Sequence, residues 1–117
     1  MEFVSVYVTC PDEATAERVA RELLERRLVA CANILGGVRS LYRWEGRIQD
    51  DREVAMFLKT RRELLRDVEA AVRATHPYDT PCVVAFDLLG GSKAYFDWVA
   101  QETSASPAGS SAGASPS

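Results

Sequence analysis

Few side chains in this chain of 117 residues can bind a transition metal or act as a nucleophile: one histidine, His76, and three cysteines, Cys10, Cys31 and Cys82. Imidazole and thiolate both suit copper and zinc. Cys10 ends a predicted strand just before a predicted helix, where the helix dipole favours a thiolate. His76 precedes a proline at a predicted helix end, where it can also cap the last carbonyls. Cys10 and His76 are therefore the candidate metal ligands, with a buried side chain as the alternative role for Cys10.

The other two cysteines are weaker candidates. Cys31 lies in a strongly apolar segment, so we expect it in the core. Cys82 begins the last predicted strand and can meet His76 at a shared surface. A hydrolytic enzyme that uses Cys10 or Cys82 with His76 is a further hypothesis, but it requires a nucleophile, a base and an orienting group within hydrogen-bond reach. The sequence supplies only the residue types, so we expect no enzyme.

Four aromatic residues can line a ligand cleft between subunits, or simply pack in an interface. They are Tyr42, Trp44, Tyr78 and Trp98. Glu53 and Lys59 alternate on one face of a predicted strand and can form an ion pair near such a cleft. The neighbouring Asp50-Asp51 pair is expected in a solvated part of the hairpin.

Composition excludes several classes of partner. Hydrophobic residues make up 47% of the chain and the formal net charge is −3, so a core can form but the basic face that nucleic acid needs is missing. No apolar stretch approaches the roughly 20 residues that span a bilayer. The cysteines are odd in number and contain no CxxC pair, which suits a reducing compartment. We expect a cytoplasmic protein with no nucleic-acid or membrane partner.

Hydrophobic periodicity predicts the element order β-α-β-β-α-β with a short helix at the end. Asp12 and a capping box from Thr60 to Glu63 are predicted to start the two long helices. This order is that of a ferredoxin-like α+β sandwich, with both helices on one face of a four-stranded antiparallel sheet. We expect one domain over residues 1–103 and a disordered Ser/Ala/Gly/Pro tail over residues 104–117.

The predicted hairpin is too long for the domain. A first helix of about 16 residues spans roughly 24 Å, which about seven strand residues match. The segments 29–44 and 47–59 are about twice as long, so they bend at Gly36-Gly37 or overhang the body. An overhanging edge with exposed apolar side chains favours pairing with neighbouring subunits in a closed ring. A merely solvated, twisted hairpin is the alternative. The apolar residues concerned are Leu41, Tyr42, Trp44 and Ile48.

Several motifs occur in one order over about residues 3 to 100. They are Val-Thr-Cys-Pro-Asp-Glu from residue 8, Leu-Val-Ala-Cys-Ala-Asn-Ile from 28, Ser-Leu-Tyr-Arg-Trp-Glu-Gly-Arg-Ile from 40, Glu53, Leu-Lys-Thr from 58, His-Pro-Tyr-Asp-Thr-Pro from 76, Tyr95 and Trp98. In these motifs the chain resembles the CutA family of divalent-cation tolerance proteins. The resemblance implies a cytoplasmic homotrimer with a ferredoxin-like subunit, linked to tolerance of copper and other divalent ions.

The chain departs from that family pattern at three positions. Val8 stands where some members have a cysteine, Thr75 precedes His76 where they have a second histidine, and Cys82 follows a proline where many have glutamate. A copper site carried over from such members is therefore incomplete here. The leading hypothesis is a trimeric protein that binds copper or another divalent cation. The alternative is a trimeric signalling module that binds a small anionic metabolite between subunits, which a cleft holding Lys59 and Arg43 would favour.

Overall fold

The computed structural model describes residues 1–103 and contains one four-stranded sheet with three α-helices. The elements are β1 (Phe3–Cys10), α1 (Glu13–Glu25), β2 (Cys31–Trp44), β3 (Arg47–Arg61), a 3-10 turn (Arg62–Leu64), α2 (Leu65–Thr75), β4 (Val83–Leu88) and α3 (Lys93–Glu102). The strand order is β2-β3-β1-β4, and every neighbouring pair is antiparallel. The predicted α+β class and four-stranded antiparallel sheet are confirmed. The predicted tail, residues 104–117, lies outside the described residues.

One face of the sheet forms the core. Side chains alternate between the faces of a strand, so Val4, Val6 and Val8 of β1 point to the same side, and each is at most 2% exposed. Met56 and Leu58 of β3 join them. The apolar stripes of α1 and α2 cover this side, called here the closed face, with Val19, Leu23, Val68 and Val72.

The opposite side of the sheet is only partly covered. At one end α3 packs on it, with the rings of Phe3 and Phe96 4.9 Å apart. Beyond α3 the surface is apolar but uncovered within the described chain. Leu35, Val84 and Phe86 there are between 48% and 52% exposed. These three residues, together with Tyr7 and Phe57 between them, are called here the open face.

The hairpin of β2 and β3 projects past the rest of the sheet. The last pair between β1 and β3 is Cys10 with Val54, so residues 38–53 have no third strand beside them. Glu45 and Gly46 close the hairpin with φ values of 50° and 77°, as a two-residue type I′ turn requires.

A bulge at Gly36-Gly37 decides which side of the hairpin each residue faces. Leu35 pairs with Ala55 and Val38 with Glu53, so three steps along β2 match two along β3. Gly37 has a φ of 77°, which favours glycine. The extra residue reverses the alternation in β2, so Tyr42 and Trp44 lie on the same side as Glu53. The structure therefore shows both an irregularity at the glycine pair, where the sequence allowed a bend, and an overhanging hairpin.

The two predicted helix starts differ in outcome. Asp12 caps α1, because its Oδ1 accepts a hydrogen bond from the Thr15 amide at 2.7 Å. The capping box at Thr60 is wrong: β3 continues to Arg61, and no side chain caps α2. Thr60 is buried in the strand, where its hydroxyl donates to the Leu28 carbonyl at 2.6 Å. The strand pairing of β3 therefore continues past Thr60, where the Thr60–Glu63 motif had predicted the start of a helix.

The described residues contain no helix long and apolar enough to cross a membrane.

The first helix has 13 residues rather than about 16, which makes the hairpin overhang larger than the sequence predicted.

Candidate functional site

A cleft of about 800 Å³ lies between the projecting hairpin and the loop that follows α2. Tyr42, Trp44 and Glu53 line it from the hairpin, and Tyr78 lines it from the loop. Tyr7 and Thr9 of β1 form its floor on the open-face side of the sheet. Its volume is within the range of small-molecule sites.

Phenol–carboxylate pairs dominate the chemistry of the cleft. Glu53 is 9% exposed, and its Oε2 accepts a hydrogen bond from the Tyr78 hydroxyl at 3.3 Å. Burial and the charge of Glu53 raise the pKa of Tyr78 to about 12. The Tyr42 hydroxyl donates to Asp51, and this bond raises the pKa of Tyr42. Both phenols therefore stay protonated at neutral pH, while the carboxylates supply negative charge.

His76 fixes the loop that carries Tyr78. At the end of α2, its backbone amide donates a hydrogen bond to the Val72 carbonyl at 2.8 Å. Its ring Nε2 lies 2.8 Å from the Thr9 carbonyl, and Nδ1 accepts from the Tyr78 amide at 3.1 Å. A neutral ring with its proton on Nε2 satisfies both bonds. The buried imidazole therefore links the loop to the sheet, and neither ring nitrogen is free for a metal ion.

Cys10 lies on the closed face and not at a reactive position. Its side chain is fully buried, and its pKa is raised to about 11, chiefly by burial and then by the charge of Glu53. The expectation of a thiolate favoured by the helix dipole is therefore wrong. The side chain points into the core, and Asp12 occupies the helix N-terminus instead.

The remaining cysteines have different surroundings. Cys31 is buried as expected, under α3, with its Sγ 3.5 Å from the Tyr95 hydroxyl. Cys82 is half-buried at the cleft edge and is hydrogen-bonded to Thr9, while burial raises the pKa of its thiol. His76 also bonds to Thr9, so Cys82 and His76 do approach a common residue.

The donor set does not fit a closed metal centre within one chain. In residues 1–103 no group of three or more His, Cys, Asp or Glu side chains is placed to hold a metal ion. Copper normally takes about three or four donors, and a cysteine ligand must be deprotonated. His76 has both ring nitrogens bonded, and Cys10 is held as a buried thiol. A metal site would therefore need donors from a second subunit.

Two residues that the sequence assigns to a cleft between subunits do not line this cleft of one chain. The Lys59 ammonium is 5.3 Å from the centre of the Tyr95 ring, and the Trp98 ring is 5.6 Å from the same ring. Glu53 is six residues from Lys59 along β3, or roughly 20 Å. The expected ion pair between Glu53 and Lys59 is therefore wrong within one chain.

Sequence reasoning missed several residues of the cleft. Tyr7, Thr9 and Asp79 line it. Asp51 is exposed on the hairpin, as the sequence predicted, and it also accepts a hydrogen bond from the Tyr42 hydroxyl. The signal for Asp51 was present in the sequence. Once the glycine pair is counted as a bulge, Tyr42 and Asp51 fall on the same side of the hairpin.

Fold and cleft together define a class of protein: a small α+β domain with one covered sheet face, one open face and a cleft beneath a projecting hairpin. A family model described as "CutA1 divalent ion tolerance protein" matches residues 4–102. The chain therefore belongs to the CutA family, as its motifs indicated.

Relatives and solved structures agree with this membership. A divalent-cation tolerance protein CutA from Pyrococcus horikoshii is 41% identical over 100 residues, which cover 86% of this chain and 97% of that protein. The chloroplastic CutA of Arabidopsis thaliana is 39% identical, but the match spans only 55% of its length. The structure of CutA1 from Oryza sativa superposes with a TM-score of 0.87 at 38% identity, covering 91% of this chain and 97% of that one.

Proposed function

We propose that this protein is a homotrimer of ferredoxin-like subunits that acts in tolerance of copper and other divalent cations. The observation that carries the proposal is the family match over residues 4–102, since relatives of matching length are described as divalent-cation tolerance proteins. We also propose that the protein is not an enzyme and works in the cytoplasm. The backbone bonds on both nitrogens of His76, which leave it unable to act as a general base, support the first of these points.

Three features of the subunit support a trimer. β2 and β4 are the two edges of the sheet, so each offers backbone groups to a neighbour. The open face presents half-exposed apolar side chains, including Val84 and Phe86. The projecting hairpin adds Trp44, which is 49% exposed. Head-to-tail contact between two different edges forms a closed ring when its rotation closes, and this proposal takes that ring to have three subunits.

Metal binding in this proposal depends on assembly. Residues 1–103 of one chain hold no sufficient donor set, so the ligands would come from adjoining subunits. Cys10, His76 and Cys82 are the soft donors that the sequence offers, and the structure places Cys82 nearest to an open surface.

Light scattering and copper titration test the proposal together. We expect a mass of three subunits of 12.9 kDa each, and copper binding that is lost when an open-face variant such as Phe86→Asp dissociates the protein. A monomeric wild-type protein, or equal binding by the monomeric variant, would contradict it.

The ligand prediction needs its own variants. His76→Ala, Cys10→Ala and Cys82→Ala are titrated beside Cys31→Ala, which serves as a matched control because that thiol lies under α3. The prediction that Cys10 and His76 bind copper fails if both variants keep the wild-type stoichiometry and affinity.

The alternative function, binding of an anionic metabolite, has less support. Lys59 contacts Tyr95 at a distance from the cleft. Of the arginines, Arg39 lines the cleft, but its guanidinium bonds both oxygens of Asp50 at 2.9 and 2.7 Å. The cleft therefore offers an anion little uncompensated positive charge.

A further inference from the structure

Two opposite charges on the open-face side of β3 have no ion-pair partner in the described chain. Glu53 is 9% exposed, and its carboxylate accepts a hydrogen bond from the neutral Tyr78 hydroxyl at 3.3 Å. Lys59 is half-buried, with its ammonium 5.3 Å from the centre of the Tyr95 ring. Among residues 1–103, the ion pairs that the structure shows involve neither Glu53 nor Lys59. Assembly on this side can only bury both groups further, so both charges need compensation there.

The distance between the two charges prevents them from compensating each other within one subunit. They are six residues apart on the same side of one strand, or roughly 20 Å. Ala55 and Phe57 lie between them on that side. Glu53 is at the hairpin end of this row, and Lys59 is at the end that α3 covers. A neighbouring subunit that contacts this side with its opposite end can therefore bring unlike charges together.

Two other cations of β3 share this side but have different surroundings. Arg61 bonds to Glu63 and Thr103 within its own chain. Arg47 is exposed beside the hairpin turn, where water solvates its charge. Lys59 is therefore the half-buried cation of this strand whose missing partner a carboxylate of a neighbour would supply.

We propose that in the trimer Lys59 of each subunit pairs with Glu53 in the cleft of the next subunit. This inference rests on the proposed trimer and deepens it, because it states which ends of the open face meet. In a closed ring every subunit supplies one Lys59 and one Glu53, so all of these charges are paired. A neighbour shifted along the strand would leave both charges buried and unpaired, so the pair fixes the register of the contact.

The pairing also makes the cleft a site formed by two copies of the chain. Lys59 contacts Tyr95 of α3, and the Tyr95 and Trp98 rings are 5.6 Å apart. An ammonium that reaches Glu53 of the next subunit therefore brings its own α3 to that cleft. The cleft of one chain is incomplete without this neighbour.

A double-mutant cycle on the assembled full-length protein tests the pair. Glu53→Gln and Lys59→Met each remove one charge and keep the side-chain length, so each leaves the other charge buried without a partner. Each should raise the concentration at which half of the assembly dissociates by roughly 30-fold or more. The double variant leaves neither charge unpaired and should dissociate less readily than the two single effects together predict. Light scattering on dilution compares all four proteins.

Two controls separate a contact between subunits from an effect within one. Glu69→Gln neutralises an exposed carboxylate on α2, and its effect should add to that of Lys59→Met without coupling. In the Phe86→Asp background, where we expect separate subunits, Glu53→Gln and Lys59→Met lie roughly 20 Å apart, so their effects on urea unfolding should be additive.

A conservative variant keeps the test decisive even if Glu53→Gln does not fold. Lys59→Arg retains the charge and should recover most of the assembly lost in Lys59→Met. Equal dissociation of Lys59→Arg and Lys59→Met would show that the charge of Lys59 is not used, and would overturn the pair.

The outcomes distinguish this pair from the proposed trimer. A wild-type mass of three subunits with no coupling between Glu53→Gln and Lys59→Met would overturn the pair and leave the trimer standing. Coupling that persists in the Phe86→Asp background would place the effect within one chain and would also overturn the pair. A wild-type mass other than three subunits would overturn the proposed trimer itself. Coupling in the trimer that is absent from the separated subunits is the expected result.

Discussion

The closed face and the open face belong to the same four strands but have different surroundings. On the closed face Val6, Val8 and Leu58 are fully buried under α1 and α2. On the open face Val84 and Phe86 are about half exposed, although they are as apolar as the buried set. The strand pattern therefore specifies which residues share a face, but the cover on that face depends on what else is present. We infer that the closed face holds the subunit together and that the open face holds subunits to each other.

The largest expected effect lies on the closed face. Leu58→Ala should lower the free energy of unfolding by about 2–5 kcal/mol, because it leaves a cavity among fully packed side chains. Leu89→Ala is the control, since Leu89 is fully exposed and the same truncation should change stability by less than about 0.5 kcal/mol. Urea unfolding of both variants measures the difference. Similar costs at the two positions would remove the distinction between the faces.

The open face should respond in assembly rather than in folding. Phe86→Asp places a charge on the proposed interface, so we expect dissociation with little loss of helical circular dichroism. Leu89→Asp adds the same charge three residues away, beyond the end of β4, and should leave the mass unchanged. If Phe86→Asp unfolds the subunit instead, the open face contributes to folding as the closed face does.

The hairpin provides a smaller test of the same division. Trp44→Ala should weaken the assembly by about 2 kcal/mol, because large aromatics dominate interface energetics. Ile48→Ala is the matched control on the opposite side of the hairpin, where its side chain is 71% exposed. Dilution followed by light scattering compares the two. Equal weakening would show that both sides of the hairpin are buried in the assembly.

The sequence predicted the elements well because local patterns determine them. The alternation of apolar and polar residues predicted the strands, and apolar residues at helical spacing predicted α1 and α2. Asp12 predicted the start of α1. The capping box at Thr60 failed because Thr60 belongs to β3. Its hydroxyl is buried there and bonds to the Leu28 carbonyl, which is distant in sequence.

The site was harder to predict for the same reason. Tyr42, Trp44, Glu53 and Tyr78 line a cleft of one chain, whereas Lys59 and Trp98 pack around Tyr95. The cleft between subunits that the sequence predicted for all six residues stays a prediction. Which face α3 covers depends on long-range packing that no short motif encodes. The prediction of a thiolate at Cys10 failed for a similar reason. Burial raises the pKa of this thiol, and this effect outweighs its position beside a helix start.

The smallest expected effect is a pH dependence at the start of α1, the helix that covers the closed face. The carboxylate of Asp12 accepts the Thr15 amide, which holds the pKa of Asp12 below its usual value in the folded protein. A lowered folded-state pKa means that Asp12 stabilises the fold above its unfolded pKa of about 3.9, and that this contribution disappears as pH falls through the folded value.

Asp12→Asn keeps a side-chain acceptor at the cap but cannot ionise. The stability difference between wild type and Asp12→Asn should therefore be constant near neutral pH and should shrink as the pH falls below about 4. Urea unfolding at several pH values measures it. Asp12 caps the helix that covers the closed face. The same pH profile should therefore appear in the Phe86→Asp background, where we expect the proposed assembly to be dissociated. A profile that changes on dissociation would show that assembly acts on the α1 cap, and the two faces would then be energetically coupled.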